Sequence, residues 1–321
     1  MIPVRSLGRS GFSVTELGLG AAFIGGRDDP SLNDLEMASD RFDDLAIATV
    51  HRAIELGIRH IDTSPLYGPS ERRIGKALES VDTTGLTIST KVGTHPERPY
   101  SYTASDLRWS LEQSFKLLGL DHIDLVLIHD PPSMEPVLRA GEGFDALETM
   151  RSEGMLDFIG LGVRDHNFHR MAIELDRVDM ILTFADYNVV RRHAASLITQ
   201  AHSAGVGVLL GSPQMLGLLA KGDPLATAGR RPLDYAAQFS SGDIEAAAEW
   251  STWCRDRDVD LRHLNMRFVL QNHQIGAVLT GAATPGEIET NVFEAYKKVP
   301  DDVWAEAMLR IADLDKQDAS G

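Results

Sequence analysis

The sequence predicts an α/β chain folded as a (β/α)8 TIM barrel, with an N-terminal hairpin and an extra C-terminal helix. Three observations carry this. Eight short runs rich in Leu and β-branched residues recur along the 321 residues, and most lack polar alternation, so they read as strands buried on both faces of a parallel sheet. Segments with the apolar spacing of a helix fill the gaps between them. Eight such alternations in about 300 residues suit a closed barrel better than an open doubly wound sheet.

In chain order, Val4 to Leu7 and Phe12 to Glu16 flank Gly8 to Gly11 and read as a hairpin ahead of the barrel. The eight strand runs are Leu17 to Gly20, Ile58 to Asp62, Leu86 to Lys91, Ile123 to His129, Phe158 to Val163, Met180 to Phe184, Val206 to Leu210 and Ala277 to Gly281. Between them, Ile47, Val50 and Ile54 share one helical face that stops at Gly57. Leu107, Leu111, Phe115 and Leu118 share another that stops at Gly119, the residue type expected just past a helix end. Further helices are expected over Ser70 to Leu78, Phe144 to Glu153, Ala194 to Ala204, Ile244 to Arg257 and Pro285 to Tyr296, and an outer amphipathic helix from Asp301, frayed over Gln317 to Gly321. Gly25 to Asp40 and Ala220 to Gly242 break the alternation and read as loops over a binding face. With no repeat or linker, residues 1–321 are expected to form one domain.

Charge narrows the partners. Against 47 Asp and Glu stand only 31 Lys and Arg, a net charge of −16 without a basic run, so nucleic acid and anionic membranes are not expected partners and a small molecule is. No window approaches the roughly 18 apolar residues of a membrane span, and Met1 to Val14 lacks a signal-peptide core. Cys254 is the single cysteine and reads as core packing beside Trp253. A cytoplasmic protein is the expectation. The sequence leaves the oligomeric state open.

In a barrel, reactive groups stand where strands end. Asp62, Lys91 and His129 end three consecutive runs, and Tyr67 follows in Asp-Thr-Ser-Pro-Leu-Tyr-Gly, where Pro65 and Gly68 bend the chain back over the mouth. Singly, each has an ordinary reading: Asp62 as a helix cap, Lys91 as its ion-pair partner, Tyr67 as a rim residue, His129 as a turn residue before Asp130-Pro131-Pro132. Together they make a site. A buried Lys beside an Asp is costly unless used, and an ammonium next to a Tyr lowers its pKa from the usual value of about 10 toward acid–base work. His166 and His169 have i, i+3 spacing, but no His-x-His ends an early strand, so no metal is expected.

These residues carry a resemblance. Asp62 to Gly68, Ser-Thr-Lys-Val-Gly at 89–93, the run Leu117 to His129, and Gly281 to Asn291 resemble the aldo-keto reductase superfamily over essentially the whole chain. Gly205 to Pro213 and Met215 to Leu219 are most similar to its aldose (L-galactose, L-fucose, D-threo-aldose) and pyridoxal dehydrogenase branch. The resemblance implies Tyr67 as general acid–base, Lys91 and Asp62 as its tuning partners, and His129 as the group orienting a substrate oxygen, with Phe23 beside the substrate. It also implies a nicotinamide dinucleotide at Gly20, Ala21, Ala22, Asp62, Arg164, Gly211, Ser212, Pro213, Leu216, Gly281, Ala282, Thr284, Glu287 and Asn291. No Rossmann fingerprint exists to bind one otherwise: Gly18 and Gly20 are followed by Phe23, and Gly160 and Gly162 by Asp165, where a third glycine is needed.

The chain departs from that family in three places. Arg164-Asp165 replaces the common Ser-Asn, Gly211 a nicotinamide-stacking aromatic, and Phe184 a frequent Gln. At Gly281 and Glu287 the cations that grip a 2′-phosphate in NADP-preferring members are missing, so NAD is the expected cofactor and NADP the alternative; an acid at 287 suits a free 2′-hydroxyl. Lys221 and Arg191 are the cations that would have to supply the grip for NADP. The expected reaction is hydride transfer between the nicotinamide and an aldose lactol carbon or an aldehyde, aldose to lactone being favoured, on a neutral polyhydroxylated substrate. Pyridoxal or general aldehyde oxidoreduction is the alternative. A Schiff-base aldolase using Lys91 would leave Tyr67 unexplained, and a cofactor-binding regulatory subunit would have no need of the intact tetrad.

Overall fold

The computed structural model describes residues 1–26, 40–220, 222–230 and 236–318. Most of the predicted 25–40 loop, Lys221 and part of the predicted 220–242 loop lie outside the described residues. The described residues group into two compact units: Met1–Phe184 with Ala194–Ser212 and His273–Asn291, and Ala185–His193 with Pro213–Asn272 and Val292–Gly321.

The first unit holds the barrel. Strands β3 (Leu17–Gly20), β4 (His60–Asp62), β5 (Thr87–Val92), β8 (Ile123–His129), β9 (Leu156–Gly162), β10 (Met180–Phe184), β11 (Gly207–Gly211) and β12 (Ala277–Gly281) close in that order, every neighbour parallel and β12 returning to β3, while β6 (Thr94–His95) and β7 (Arg98–Pro99) form a short antiparallel pair between β5 and β8 in the chain. All eight predicted runs are present, with ends shifted by up to two residues. Their side chains pack because the runs are apolar on both faces: Leu125, Leu127, Met180, Leu182, Leu209, Ala277 and Leu279 fill one buried cluster. The hairpin of β1 (Val4–Ser6) and β2 (Ser13–Thr15) adds Leu7 and Val14 to that cluster and closes the N-terminal end of the barrel. The contact is tight at Gly8, whose φ is +60° and where a Cβ would stand 2.3 Å from the Gly205 carbonyl oxygen. Only glycine fits there.

Helices α1 (Asp43–Glu55), α2 (Ser70–Leu78), α3 (Ala104–Leu118), α4 (Glu135–Leu138), α5 (Gly143–Ser152), α6 (His166–Glu174) and α7 (Ala195–Ser203) fill the connections of this unit. Thr103 caps α3 by accepting the Asp106 N–H, and Gly119 ends it at φ +70°. Asp43, nearly buried at the start of α1, gathers Arg72, Arg73 and Lys76 of α2 and is thereby held far below the ordinary carboxylate range. This fixes α2, and with it the turn that carries Tyr67.

In the second unit α8 (Pro224–Arg230) lies within the stretch predicted as loop, a correction to that reading. It is followed by α9 (Ser241–Arg255) and α10 (Leu261–Leu270), where Tyr187 stacks on Phe268 at 5.2 Å. Cys254 is buried against Val259 and the α9 core, and burial pushes its thiol up to about 12, so it is a packing residue and no nucleophile. Helix α11 (Pro285–Ala295) follows β12, and α12 (Asp301–Asp318) runs past Gln317, where the sequence reading places a frayed end. No helix among the described residues is long and apolar enough to cross a membrane.

Candidate active site

Strands β4 and β5 deliver Asp62 and Lys91 side by side. Asp62 Oδ2 accepts from Lys91 Nζ at 2.6 Å and Oδ1 accepts from the Ser89 hydroxyl at 2.7 Å, while Nζ also donates to the Thr63 carbonyl at 2.7 Å. Lys91 is 1% exposed and Asp62 3%. Burial alone would push the ammonium toward neutrality, yet attraction to Asp62 and to Tyr67 outweighs it and holds Lys91 above the usual lysine value. A charge buried this deep stays charged only because it is paired and hydrogen-bonded. Behind the strand, Thr90 donates at 2.5 Å to Glu71, whose carboxyl is raised by burial, bracing the residue next to Lys91 from outside.

Tyr67 reaches this pair from the turn between β4 and α2. Tyr67 N–H donates to the Ser64 carbonyl, Ser70 N–H to the Tyr67 carbonyl, and the Ser70 hydroxyl to the Ala21 carbonyl. Gly25 lets the backbone close on this turn, since a Cβ there would stand 1.9 Å from the Tyr67 carbonyl oxygen. Lys91 Nζ lies 4.8 Å from the centre of the half-buried Tyr67 ring and hydrogen-bonds to the side chain.

His129, the last residue of β8 and 8% exposed, stands edge-on to Tyr67 with ring centres 6.2 Å apart. Its Nδ1 is 2.9 Å from the Thr94 hydroxyl and 3.4 Å from that of Ser64, and its carbonyl accepts from the Tyr102 hydroxyl at 2.8 Å. Asp130 follows in the left-handed region, φ +39°, with Oδ2 3.8 Å from His129 Nε2. Burial raises the Asp130 carboxyl, Arg164 and Lys91 pulling the other way. Backbone strain of this kind in a non-glycine residue concentrates at functional sites. So the four residues singled out in the sequence come together. Ser89, Thr94, Ser64, Tyr102 and Asp130 were missed as site residues; the hydroxyls carry no periodic or motif signal of their own, whereas Asp130 directly follows a strand-end His.

The candidate cofactor residues occupy strand ends and the turns after them. Gly20 ends β3 opposite Asp62, and Ala21 N–H donates to the Asp62 carbonyl; Ala22 and Phe23 follow in the same turn. Phe23 lies on Gly281, where a Cβ would stand 2.4 Å from its ring. The Arg164 guanidinium lies 4.7 Å over the Phe184 ring, Asp165 caps α6, and Phe184 pairs in register with Gly211. Ser212 takes a φ of +52° directly after β11. Ala282 is buried beside Gly281. At the start of α11, Glu287 N–H donates to the Thr284 hydroxyl, Glu287 Oε2 accepts from Ala283 N–H at 2.8 Å, and Asn291 Nδ2 donates to the Gly281 carbonyl at 2.8 Å. Pro213 and Leu216 belong to the second unit: the Pro213 carbonyl accepts from Asn265, and Leu216 has a φ of +54°. There too, Arg191 is spent on Asp243, at 2.6 and 2.8 Å. His169 is buried with Nε2 3.1 Å from the Val163 carbonyl, and no group of three or more His, Cys, Asp or Glu placed to hold a metal ion occurs among the described residues.

A closed parallel barrel with such a set at its strand ends is the framework of an oxidoreductase. The Aldo/keto reductase family profile matches residues 16–308, and the chain belongs to that family, whose enzymes use nicotinamide cofactors. It is 30% identical to the L-galactose dehydrogenase of Arabidopsis thaliana, over 91% of this chain and 87% of that one. It is 29% identical to a D-threo-aldose 1-dehydrogenase of a Pseudomonas species, over 92% and 94%, and 27% identical to the pyridoxal 4-dehydrogenase of Microbacterium luteolum, over 94% and 95%. A solved aldo-keto reductase of Bacillus halodurans, in its holo form, superposes with a TM-score of 0.75 at 21% identity, covering 97% of this chain and 96% of that one. At that identity the likeness speaks for the fold.

Proposed function

We propose that this chain is an NAD-dependent aldose dehydrogenase that oxidises the lactol carbon of a neutral sugar to the lactone. The observation that carries this reading is the buried Lys91 ammonium, held by Asp62 against Tyr67. A cation that cannot leave favours the phenolate of Tyr67, which equips that oxygen to take the proton of the anomeric hydroxyl. The nicotinamide, when bound, supplies the acceptor for the hydride that leaves the same carbon. Tyr67 thus receives the proton, the C–O bond becomes a carbonyl, and His129 orients that oxygen. In the reverse direction Tyr67 returns the proton to an aldehyde.

The residues present suit a nicotinamide dinucleotide. Arg164, its guanidinium 4.7 Å over the Phe184 ring, is the residue that stands at the place of Ser-Asn and is proposed to meet the carboxamide. At the start of α11, where Thr284 and Asn291 are held within the turn, no cation stands at 281 or 287. Arg191 is already paired, which removes one of the two cations considered for a 2′-phosphate. NAD is therefore favoured over NADP.

Asp130 bears on the substrate. Its carboxylate, next to His129 Nε2, accepts hydrogen bonds from sugar hydroxyls and repels an acid. The names of the relatives point the same way, the Arabidopsis protein being a dehydrogenase of L-galactose and the Pseudomonas protein a 1-dehydrogenase of D-threo-aldoses. The test is a panel of L-galactose, L-fucose, other aldoses, a uronic acid, pyridoxal and simple aldehydes, followed at the nicotinamide absorbance with both cofactors. The expected result is the highest kcat/KM with a neutral aldose and NAD. Better turnover of the uronic acid or of pyridoxal than of every aldose would replace the reading.

A further inference from the structure

Neutral histidine has one donor and one acceptor nitrogen, and which is which follows from what each meets. At His129 two hydroxyls meet the same nitrogen. Thr94, 5% exposed, places its Oγ1 2.9 Å from Nδ1, and Ser64, fully buried, places its Oγ 3.4 Å away. The Ser64 oxygen already accepts from Leu66 N–H at 3.1 Å, so its own proton still needs an acceptor. Among the described residues Nδ1 is the only acceptor in reach of either hydroxyl proton.

The proton count decides between the tautomers. If Nδ1 carried the proton and donated to Thr94, two hydroxyl protons would be buried with no acceptor, an arrangement that native structures avoid. If Nδ1 carries the lone pair, Thr94 donates to it over the shorter contact and Ser64 shares it over the longer. We infer that Thr94 and Ser64 are positioning residues that hold His129 in the tautomer with its proton on Nε2, making that nitrogen a donor to the substrate oxygen. The catalytic consequence rests on the role proposed for His129 above; the tautomer itself does not. It suits the reaction in both directions. A substrate hydroxyl giving its proton to Tyr67, and the carbonyl it becomes, each present only lone pairs to His129, and Nε2–H meets them. The Tyr102 hydroxyl, on the His129 carbonyl, holds the backbone while the two hydroxyls set the ring.

The test reads the ring directly. Protein labelled with ¹⁵N-histidine gives two-bond nitrogen–proton correlations that separate a bare from a protonated ring nitrogen, and the His129→Asn variant identifies which signals belong to His129. The expected spectrum has a protonated Nε2 and a bare Nδ1 in the wild type. The double variant Ser64→Ala with Thr94→Val is expected to give a mixture of tautomers. Thr94→Val should lower kcat about tenfold, the size of one neutral hydrogen bond, with the KM for NAD unchanged, and Thr94→Ser should restore both spectrum and rate. A wild-type His129 protonated on Nδ1 overturns the inference, as does a double variant that keeps both the wild-type tautomer and the wild-type kcat. The wild-type spectrum and the Thr94→Ser variant decide the matter even if the valine variant fails to fold. The spectrum is read without any substrate, so a failure to turn over sugars would count against the proposed reaction and leave the tautomer to be judged separately.

Discussion

The β4–β5 wall and the turn that opens α11 both contribute polar groups to strand ends of the same unit, yet they satisfy them in opposite ways. In the wall the partners come from across the barrel register: Asp62 faces Ser89 and His60 faces Thr87 in the paired strands, and Lys91 closes the network with everything buried. In the α11 turn the partners lie within ten residues, with Glu287 on Ala283 and Thr284, Asn291 on Gly281, all half-exposed. The contrast separates two tasks. On the function proposed above, a charge network buried by long-range register cannot be changed without changing the chemistry, whereas the locally capped start of α11 is the place to alter which dinucleotide is preferred and leave the chemistry standing.

The largest effect that would break this division is Tyr67→Phe. It removes one hydroxyl and little packing, so turnover should fall on the order of 10²- to 10⁴-fold, while NAD affinity and melting temperature stay near wild type. Steady-state rates together with a dinucleotide titration check both halves.

Acid should next distinguish the two regions. His60 is fully buried, its Nδ1 2.9 Å from the Thr87 hydroxyl, and burial lowers its pKa to about 4. The unfolded chain therefore binds a proton near pH 6.5 that the folded chain refuses until about pH 4, so stability falls as pH drops through that window, by at most about 1.4 kcal/mol per pH unit. Denaturant midpoints from pH 7 to 4 should show a shallower decline in His60→Asn than in the wild type. Equal slopes would mean His60 contributes nothing to it.

Changes in the α11 turn should be smaller and of another kind. Glu287→Arg should narrow or reverse the preference for NAD, measured as the ratio of kcat/KM for the two dinucleotides, with kcat for NAD little altered. Glu287→Ala should cost about 1 kcal/mol of stability, the usual size of a lost capping interaction, read from denaturant midpoints. A large loss of kcat in either variant would contradict the separation of tasks.

The barrel was legible because strands buried on both faces leave uninterrupted apolar runs, and Asp62, Lys91 and His129 were legible because each is the polar residue where such a run stops. Helix α10 left no such trace. Eight of its ten residues are buried, so it has no polar face to set a period. Helix α8 was hidden by its seven-residue length and by Pro224 and Gly229 within it. At Glu287 the sequence suggested a partner for a free 2′-hydroxyl, and the structure supplies a bond the sequence could not specify, from the Ala283 amide. The hydroxyls of Ser64, Ser89 and Thr94 were not legible at all, since their importance comes from cross-strand register and turn geometry.

The most direct measurement of the central claim, that Lys91 held by Asp62 sets the proton affinity of Tyr67, is the pH profile of kcat/KM for the wild type and for Lys91→Met. Because Lys91 is held above the ordinary lysine value it stays charged throughout the working range, and its attraction favours the ionised phenol. Removing it takes that support away. The limb that reports ionisation of Tyr67 should therefore move to higher pH in Lys91→Met, along with a lower plateau. A profile that falls in height but keeps its limb at the wild-type pH would contradict the coupling of Lys91 to Tyr67.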